Sequence, residues 1–372
     1  MVLTARPASR LFSAFRTRIT KSHTTVPKMA ADTVPTTQRA AVVHKTGGPS
    51  AIEYTVAYDA PKLDDVQPNS VLIKNVFAGV NFIDTNVRKG AMPAKLPIIP
   101  GMEGAGVVVA AGSEAATLFP AGSRVGYMGI GVQSYAQFTL VNAAQCVPVS
   151  DNVPFEDICA AMMGGMTAHY LVSADGSYEV KPGDHVLIHA GAGGLGLALT
   201  QICKAKGANV TTTVSSEVKA QKSKAAGATT VLRYANDDGS STDAWVEQAR
   251  QVTAKKGGFN VVYDSVGKST FTHSLDLVAK CGTVVLFGAA SGAPDAIAPL
   301  SLGPKSIKLT RPMLFHYVAD PETLRRRANE VLSWIANGSV KFDYVKSPLA
   351  DAAKVHEQLE GRQTTGKLLL EI

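Results

Sequence analysis

A two-domain α/β fold, a compact barrel-like β domain followed by a doubly wound parallel sheet, is what this sequence predicts, and three observations predict it. At 372 residues the chain exceeds one ordinary hydrophobic core and suits two domains. From Arg39 to about Cys159, short apolar runs recur at close spacing, punctuated by Gly and Pro. From about Met163 to Ser306, such runs alternate with helical segments instead, the arrangement that builds a parallel sheet covered on both faces.

In the first part, strands are expected at 40–43, 71–76, 104–110, 124–127 and 136–141. Their number and shortness suggest a closed or partly open barrel. In the second part, strands are expected at 185–189, 209–214, 229–232, 260–264 and 283–287, with helices between them. Beyond Ile307 come a long helix at 321–337, an amphipathic stretch at 351–360 and a strand at 367–371. The expected organisation is a tail at 1–37, a β domain at 38–162, a parallel-sheet domain at 163–306 and a closing segment at 307–372.

The apolar run 186–190 breaks into Gly191, Gly193, Gly194 and Gly196, with Leu195 among them, and resumes as helical sequence to Ala205. Strand, tight turn and helix start succeed one another within a βαβ unit of about thirty residues. Only residues without a β-carbon let a phosphate approach the unpaired N–H groups of a helix start, and here the glycines have the dinucleotide spacing. The chain is therefore expected to hold a nucleotide cofactor.

Dinucleotide sites that take NAD end the second strand with an acid that binds the adenosine ribose and repels a 2′-phosphate. Here that strand ends Thr213-Val214-Ser215-Ser216, Glu217 falls beyond the usual place, and Lys219 follows. Small hydroxyls beside a cation favour NADPH over NADH.

The remaining composition bounds the function. The first 31 residues hold Arg6, Arg10, Arg16, Arg18, Lys21 and Lys28 and no acid, whereas the whole chain has 37 basic and 30 acidic residues, so the folded body is close to neutral. A nucleic-acid role is disfavoured, because no basic stripe with interleaved aromatics is present. The N-terminal segment, with Leu11, Phe12, Phe15 and Ile19 spaced for one helical face, looks like a mitochondrial presequence. A disordered tail is the alternative, and initiation at Met29 would leave a cytoplasmic protein. No apolar run approaches the roughly 18 residues of a membrane span. Cys146, Cys159, Cys203 and Cys281 lack CxxC spacing and read as buried free thiols. Arg325-Arg326-Arg327 reads as a solvated helix face.

Six segments in order resemble the zinc-free quinone oxidoreductases, the zeta-crystallin-like group of the medium-chain dehydrogenase/reductase superfamily. They are Val80 to Thr85, Pro100 to Gly106, the Gly191 turn, Val261 to Gly267, Leu286 to Ala289, and Thr310-Arg311-Pro312. The resemblance runs from about residue 39 onward. It implies a GroES-like β domain completed by the C-terminal segment, a Rossmann domain between them, a homodimer, and NADPH in the interdomain cleft. It places Asn81 and Thr167 near the nicotinamide half, Gly193, Gly194 and Gly196 at the pyrophosphate, Ser216, Lys219 and Tyr234 around the 2′-phosphate, and Phe287 and Gly288 along the nicotinamide. Lys367 is counted with these cofactor-binding residues. Zinc-dependent relatives carry Cys and His where this chain has Asn81 and Met102, and neither residue suits catalytic Zn²⁺. No metal is expected.

The resemblance implies NADPH-dependent reduction of a quinone; negative charge would then fall on the acceptor oxygen, where Asn81 or a bound water is the expected hydrogen-bond donor. Asn86 stands where such enzymes often have Tyr; Tyr127 or Tyr135 is the candidate to supply the missing ring, although each reads first as a structural tyrosine with its ring packed and its hydroxyl at the surface. Asp84 is either a turn-forming carboxylate or an orienter of the cleft. Two other readings stay open: reduction of an α,β-unsaturated carbonyl or enoyl thioester, and a non-catalytic NADPH- or RNA-binding role. Replacing Lys219 by Ala is expected to lower the NADPH-to-NADH ratio of kcat/KM by about tenfold or more in steady-state kinetics, the weight of one charge-assisted hydrogen bond. An unchanged ratio removes Lys219 from the phosphate site.

Overall fold

The computed structural model describes residues 34–372, so the predicted presequence lies outside the described residues. Two large sheets form the framework, joined by helices and by a chain that crosses between them twice.

The spine of the β domain is Ser70–Val80, whose Val, Leu, Ile and Phe side chains are buried along most of its length. It pairs antiparallel with Glu103–Ala111, Phe138–Asn142 and Lys367–Glu371. The seven-stranded sheet runs Tyr344–Pro348, Lys367–Glu371, Ser70–Val80, Glu103–Ala111, Arg124–Met128, Cys146–Val149, with Phe138–Asn142 branching from the spine. A hairpin of Thr37–Val43 with Ile52–Asp59 covers one side, anchored by Ala41 N–H to Tyr135 O at 2.9 Å and Val43 N–H to Ile98 O at 2.8 Å.

The second sheet is parallel, in the order Thr230–Arg233, Asn209–Val214, His185–Ile188, Phe259–Asp264, Val278–Leu286, Lys308–Thr310. Numbered along the chain this is 3-2-1-4-5-6, the Rossmann arrangement. Val186, Leu187, Ile188, Val261, Val262, Val284 and Val285 are buried because helices cover both faces of the sheet.

The domain assignment needs one revision. Lys308–Thr310 pairs within the parallel sheet, and the helix Pro321–Ala336 buries Leu324, Ala328, Val331 and Leu332 at the seam between the domains, against Met166–Val172 on one side and Cys146–Val149 on the other. The chain therefore returns to the β domain near residue 343, not 307. Strands at Ile52–Asp59, Cys146–Val149, Lys308–Thr310 and Tyr344–Pro348 were not predicted; Ile52–Asp59 and Tyr344–Pro348 are largely exposed, with no alternating apolar face to betray them, and the other two are only four and three residues long. Cys281 is exposed, whereas the other three cysteines are buried as expected. No helix among the described residues is long and apolar enough to cross a membrane.

The arginine triplet is not a solvated face. Arg325 crosses to the β domain and donates to Cys146 O at 3.2 Å and Ala143 O at 2.9 Å. Arg327, 2% exposed, donates to Tyr317 O at 3.0 Å, His169 Nδ1 at 2.9 Å and Asp175 at 2.8 Å. Only Arg326, half-exposed between Asp175 and Glu330, fits the expectation. Arg327→Met is expected to cost about 2 kcal/mol or more, because a buried carbonyl and a buried ring nitrogen lose their donor. Urea denaturation measures it, and an unmoved midpoint would restore the solvated reading.

Candidate functional site

The parallel sheet presents the carboxyl ends of its strands along one edge, and the predicted nucleotide residues follow those ends in spatial order. Tyr234 follows Thr230–Arg233, Ser215 and Ser216 follow Asn209–Val214, the glycine turn follows His185–Ile188, and Phe287 with Gly288 follows Val278–Leu286. At about 4.8 Å per strand, Tyr234 and Phe287 lie roughly 19 Å apart across this edge. Tyr234, Ser216, Gly193, Gly194, Leu195, Phe287 and Gly288 are all half-buried, as groups lining a cleft must be.

The turn is built for close approach. A β-carbon on Gly196 would sit 2.3 Å from Ala190 O, and one on Gly191 would sit 2.4 Å from the Thr212 side chain. Gly191 N–H is held by Thr213 O at 3.0 Å and Gly193 N–H by Ala190 O at 3.0 Å, with Ala190 in the left-handed region at φ 55°. The helix Gly194–Ala205 opens without a side-chain cap, leaving its first N–H groups facing the turn.

At the far end of the row, Ser216 caps the helix Glu217–Ala225. Lys219 Nζ donates to Ser215 Oγ at 3.1 Å and to Arg362 O at 2.7 Å. Burial and the neighbouring Arg362 both lower the Lys219 pKa, which marks a crowded, positively charged corner. Arg362 comes from the loop between the helix Ala352–Glu360 and the strand Lys367–Glu371, and sequence reasoning missed it because its partner lies 143 positions away.

That loop also joins the two halves of the site. Gly366 pairs with Gly193 as a parallel bridge, and its N–H reaches Ala192 O at 3.3 Å. The next residue, Lys367, enters the β sheet and donates to Glu103 Oε1 at 2.5 Å, Asn81 Oδ1 at 2.9 Å and Val80 O at 3.3 Å. Glu103 is fully buried, and its other partners are Asn81 Nδ2–H at 2.7 Å and Met163 N–H at 2.7 Å. Met163 lies in the π-helical turn Ala161–Gly165, which leads into the helix Met166–Val172 carrying the half-buried Thr167. Gly79 makes the room, since a β-carbon there would meet Glu103 Oε1 at 2.2 Å. Glu103 is thus the centre that holds Asn81, Lys367 and the approach to Thr167. Its signal was a charge immediately before the apolar run 104–110, but its counter-charge is 264 positions distant.

The bonds of Asn81 settle how its amide faces. The opposite orientation would turn Oδ1 onto a carboxylate and NH₂ onto an ammonium. One Nδ2–H remains unspent in a half-buried side chain.

Three predicted catalytic residues do not reach the cleft. Tyr127 is fully buried and donates to Asn75 Oδ1 at 2.7 Å, its ring lying where a side chain on Gly104 would otherwise be. Tyr135 is fully buried and bonded to Asp84 and His356. Asp84 is fully buried and caps the helix Phe82–Lys89 by accepting from Asn81 N–H at 2.8 Å. Each packs into the domain interior, so none supplies the missing ring or a substrate-facing acid. Asn86 is exposed on the same helix.

Residues 67–180 match the family model of the alcohol dehydrogenase GroES-like domain, and residues 194–336 match that of the zinc-binding dehydrogenase. The zinc in the latter description finds no donor set here. Among the described residues no group of three or more His, Cys, Asp or Glu side chains is placed to hold a metal ion, and the Asn81 oxygen, its one acceptor, is taken by Lys367. A probable quinone oxidoreductase of Schizosaccharomyces pombe is 37% identical over 335 residues, covering 88% of this chain and 95% of that protein. A 2-haloacrylate reductase of a Burkholderia species is 36% identical over 341 residues, covering 89% of this chain and 98% of that protein. The solved structure of Escherichia coli quinone oxidoreductase complexed with NADPH superposes with a TM-score of 0.82 at 36% identity, covering 90% of this chain and all of that one. Two matched domains, a shared arrangement along nearly the whole length and identities above a third make this chain a member of the quinone oxidoreductase family of medium-chain dehydrogenases/reductases.

Proposed function

We propose that this protein is an NADPH-dependent quinone reductase, working without metal in the cleft between its β domain and its Rossmann domain. The observation that carries the reading is the junction at Gly366-Lys367, which sets a half-exposed, orientation-fixed Asn81 beside a nucleotide-binding turn.

The residues present fit the cofactor. The Gly191–Gly196 turn and the uncapped helix start would hold the pyrophosphate, Ser216, Lys219, Arg362 and Tyr234 the phosphorylated adenosine end, and Thr167, Phe287 and Gly288 the nicotinamide end. Bound NADPH supplies the hydride. Asn81 directs its one free N–H at the acceptor, where negative charge develops on oxygen during reduction. Glu103 and Lys367 keep that amide from rotating, so no reorientation is needed as the charge grows. Lys367 spends all three N–H groups on protein, so it is a clamp and not an acid. With Asp84, Tyr127 and Tyr135 buried, the protons are assigned to solvent.

A second acceptor class has its own support: Asn86 replaces the phenol expected beside a quinone, and the 2-haloacrylate reductase is nearly as similar as the quinone oxidoreductases. The proposal also includes a homodimer and mitochondrial import through the N-terminal segment.

An acceptor panel tests the reading, with NADPH oxidation followed for a benzoquinone, a 2-alkenal, a haloacrylate and an enoyl thioester. The benzoquinone is expected to show the highest kcat/KM. An unsaturated acid, aldehyde or thioester leading by about tenfold transfers the assignment to the second class, and no turnover with any acceptor ends it. Gly196→Ala is expected to weaken NADPH binding by about a hundredfold, because the added carbon drives the turn away from the helix start. Calorimetry reads this directly, and retained affinity would place the pyrophosphate elsewhere.

A further inference from the structure

Behind Asn81 runs a line of buried side chains that the chemistry above leaves unused. Asp84 Oδ2 accepts from Asn81 N–H at 2.8 Å and from the Tyr135 hydroxyl at 3.1 Å. The Tyr135 oxygen lies 3.1 Å from His356 Nε2, and Arg88 Nη1 lies 3.4 Å from His356 Nδ1. Arg88 can only donate, so Nδ1 accepts, Nε2 carries the ring proton and donates to Tyr135, and the Tyr135 proton is turned toward Asp84. Asp84, Arg88, Tyr135 and His356 are all fully buried. The line ends at the surface, where Glu360 takes Arg88 at 2.6 Å and Lys89 at 2.8 Å.

The His356 and Tyr135 donors of this line point toward Asp84, yet among the described residues no cation forms an ion pair with it. Arg88 is paired with Glu360, and Lys367 with Glu103. The second oxygen, Oδ1, is buried with no hydrogen-bond partner. An ionised Asp84 would therefore be an uncompensated interior anion, whereas the acid is neutral and keeps Oδ2 as an acceptor for both bonds.

We propose that Asp84 is a positioning residue that also sets the charge of the cleft: as the neutral acid it holds the Asn81 cap beside a balanced Glu103–Lys367 pair, and as the anion it adds an unpaired negative charge behind Asn81 that slows reduction of the acceptor. The inference rests on the quinone-reductase reading. Its sign follows from Coulomb's law in a weakly screening interior, because negative charge also develops on the acceptor oxygen. The groups facing Asp84 are Tyr135 from the loop before Phe138–Asn142, Glu103 from Glu103–Ala111 and Lys367 from Lys367–Glu371. Burial raises the Asp84 pKa from 3.8 to about 7 and Glu103 adds to the rise, against the lowering pull of Asn81 N–H, Lys367 and Tyr135.

The test compares kcat across about pH 6 to about pH 9 in the parent, Asp84→Asn and Tyr135→Phe. In the parent, kcat is expected to fall as pH rises through about 7. Asp84→Asn keeps an acceptor oxygen but cannot ionise, so its profile loses this fall and exceeds the parent by at least about threefold at the alkaline end. Tyr135→Phe removes a donor that favours the carboxylate, so the fall moves to higher pH. KM for NADPH stays within about twofold throughout, since the charge acts on the acceptor.

A second measurement needs no turnover. With its folded-state pKa raised, Asp84 contributes stability that is whole below about pH 4 and is lost as pH rises through about 7, so the parent is expected to lose stability relative to Asp84→Asn over that window. Matching kcat profiles in parent and Asp84→Asn overturn the charge-setting role. Parallel stability curves overturn the titration itself. Absence of turnover by the parent with every acceptor condemns the reductase reading instead, and leaves the stability comparison of parent and Asp84→Asn standing.

Discussion

The site depends on one buried ion pair. Glu103 has no solvent contact, and without Lys367 its charge would stand alone in the β domain. Removing one partner from such a pair typically costs about 3–5 kcal/mol, because the other is left buried and unpaired. The pair also has consequences beyond stability. Through it Ser70–Val80 is registered against Lys367–Glu371, the Asn81 amide is fixed, and Met163 is drawn in from the π-helical turn. Specificity of geometry is what this ion pair contributes, in a place where a hydrophobic pair would pack but could not orient an amide.

Five of the six strands of the parallel sheet were legible as apolar or β-branched runs bounded by Gly or a helix start, whereas the short, partly exposed Lys308–Thr310 was not. The expected strand at 209–214 is the observed Asn209–Val214, and the helix expected at 321–337 is Pro321–Ala336, capped by Asp320 and opened by Pro321. The boundary near residue 343 was illegible for a physical reason. Helix Pro321–Ala336 has the same amphipathic pattern whichever domain it packs on, and it packs on both, so the boundary is marked only by the strand pairings of Lys308–Thr310 and Tyr344–Pro348.

Functional residues divided along a similar line. The glycines and Lys219 were found because their chemistry is local, a turn and a strand end. Glu103 and Arg362 escaped because their partners are distant in sequence. Tyr127 and Tyr135 have the packed rings expected of structural tyrosines, but their hydroxyls lie inside instead of at the surface, because Asn75 and Asp84, distant in sequence, supply the interior partners. The arginine triplet shows the converse error, since a run of charge is solvated by default and only tertiary structure supplies carbonyls for Arg325 and Arg327.

The closing strand bears on how the protein is made. Its glycine turn lies near the middle of the chain, whereas the lysine that balances Glu103 is synthesised only at position 367. Domains emerge and fold from the amino end during translation, so the nascent polypeptide can complete its Rossmann sheet while the β domain still carries an unneutralised carboxylate that must stay hydrated. Catalytic competence is therefore acquired late, when residues 343–371 have cleared the ribosome and their strand inserts beside Ser70–Val80, expelling water from around that acid.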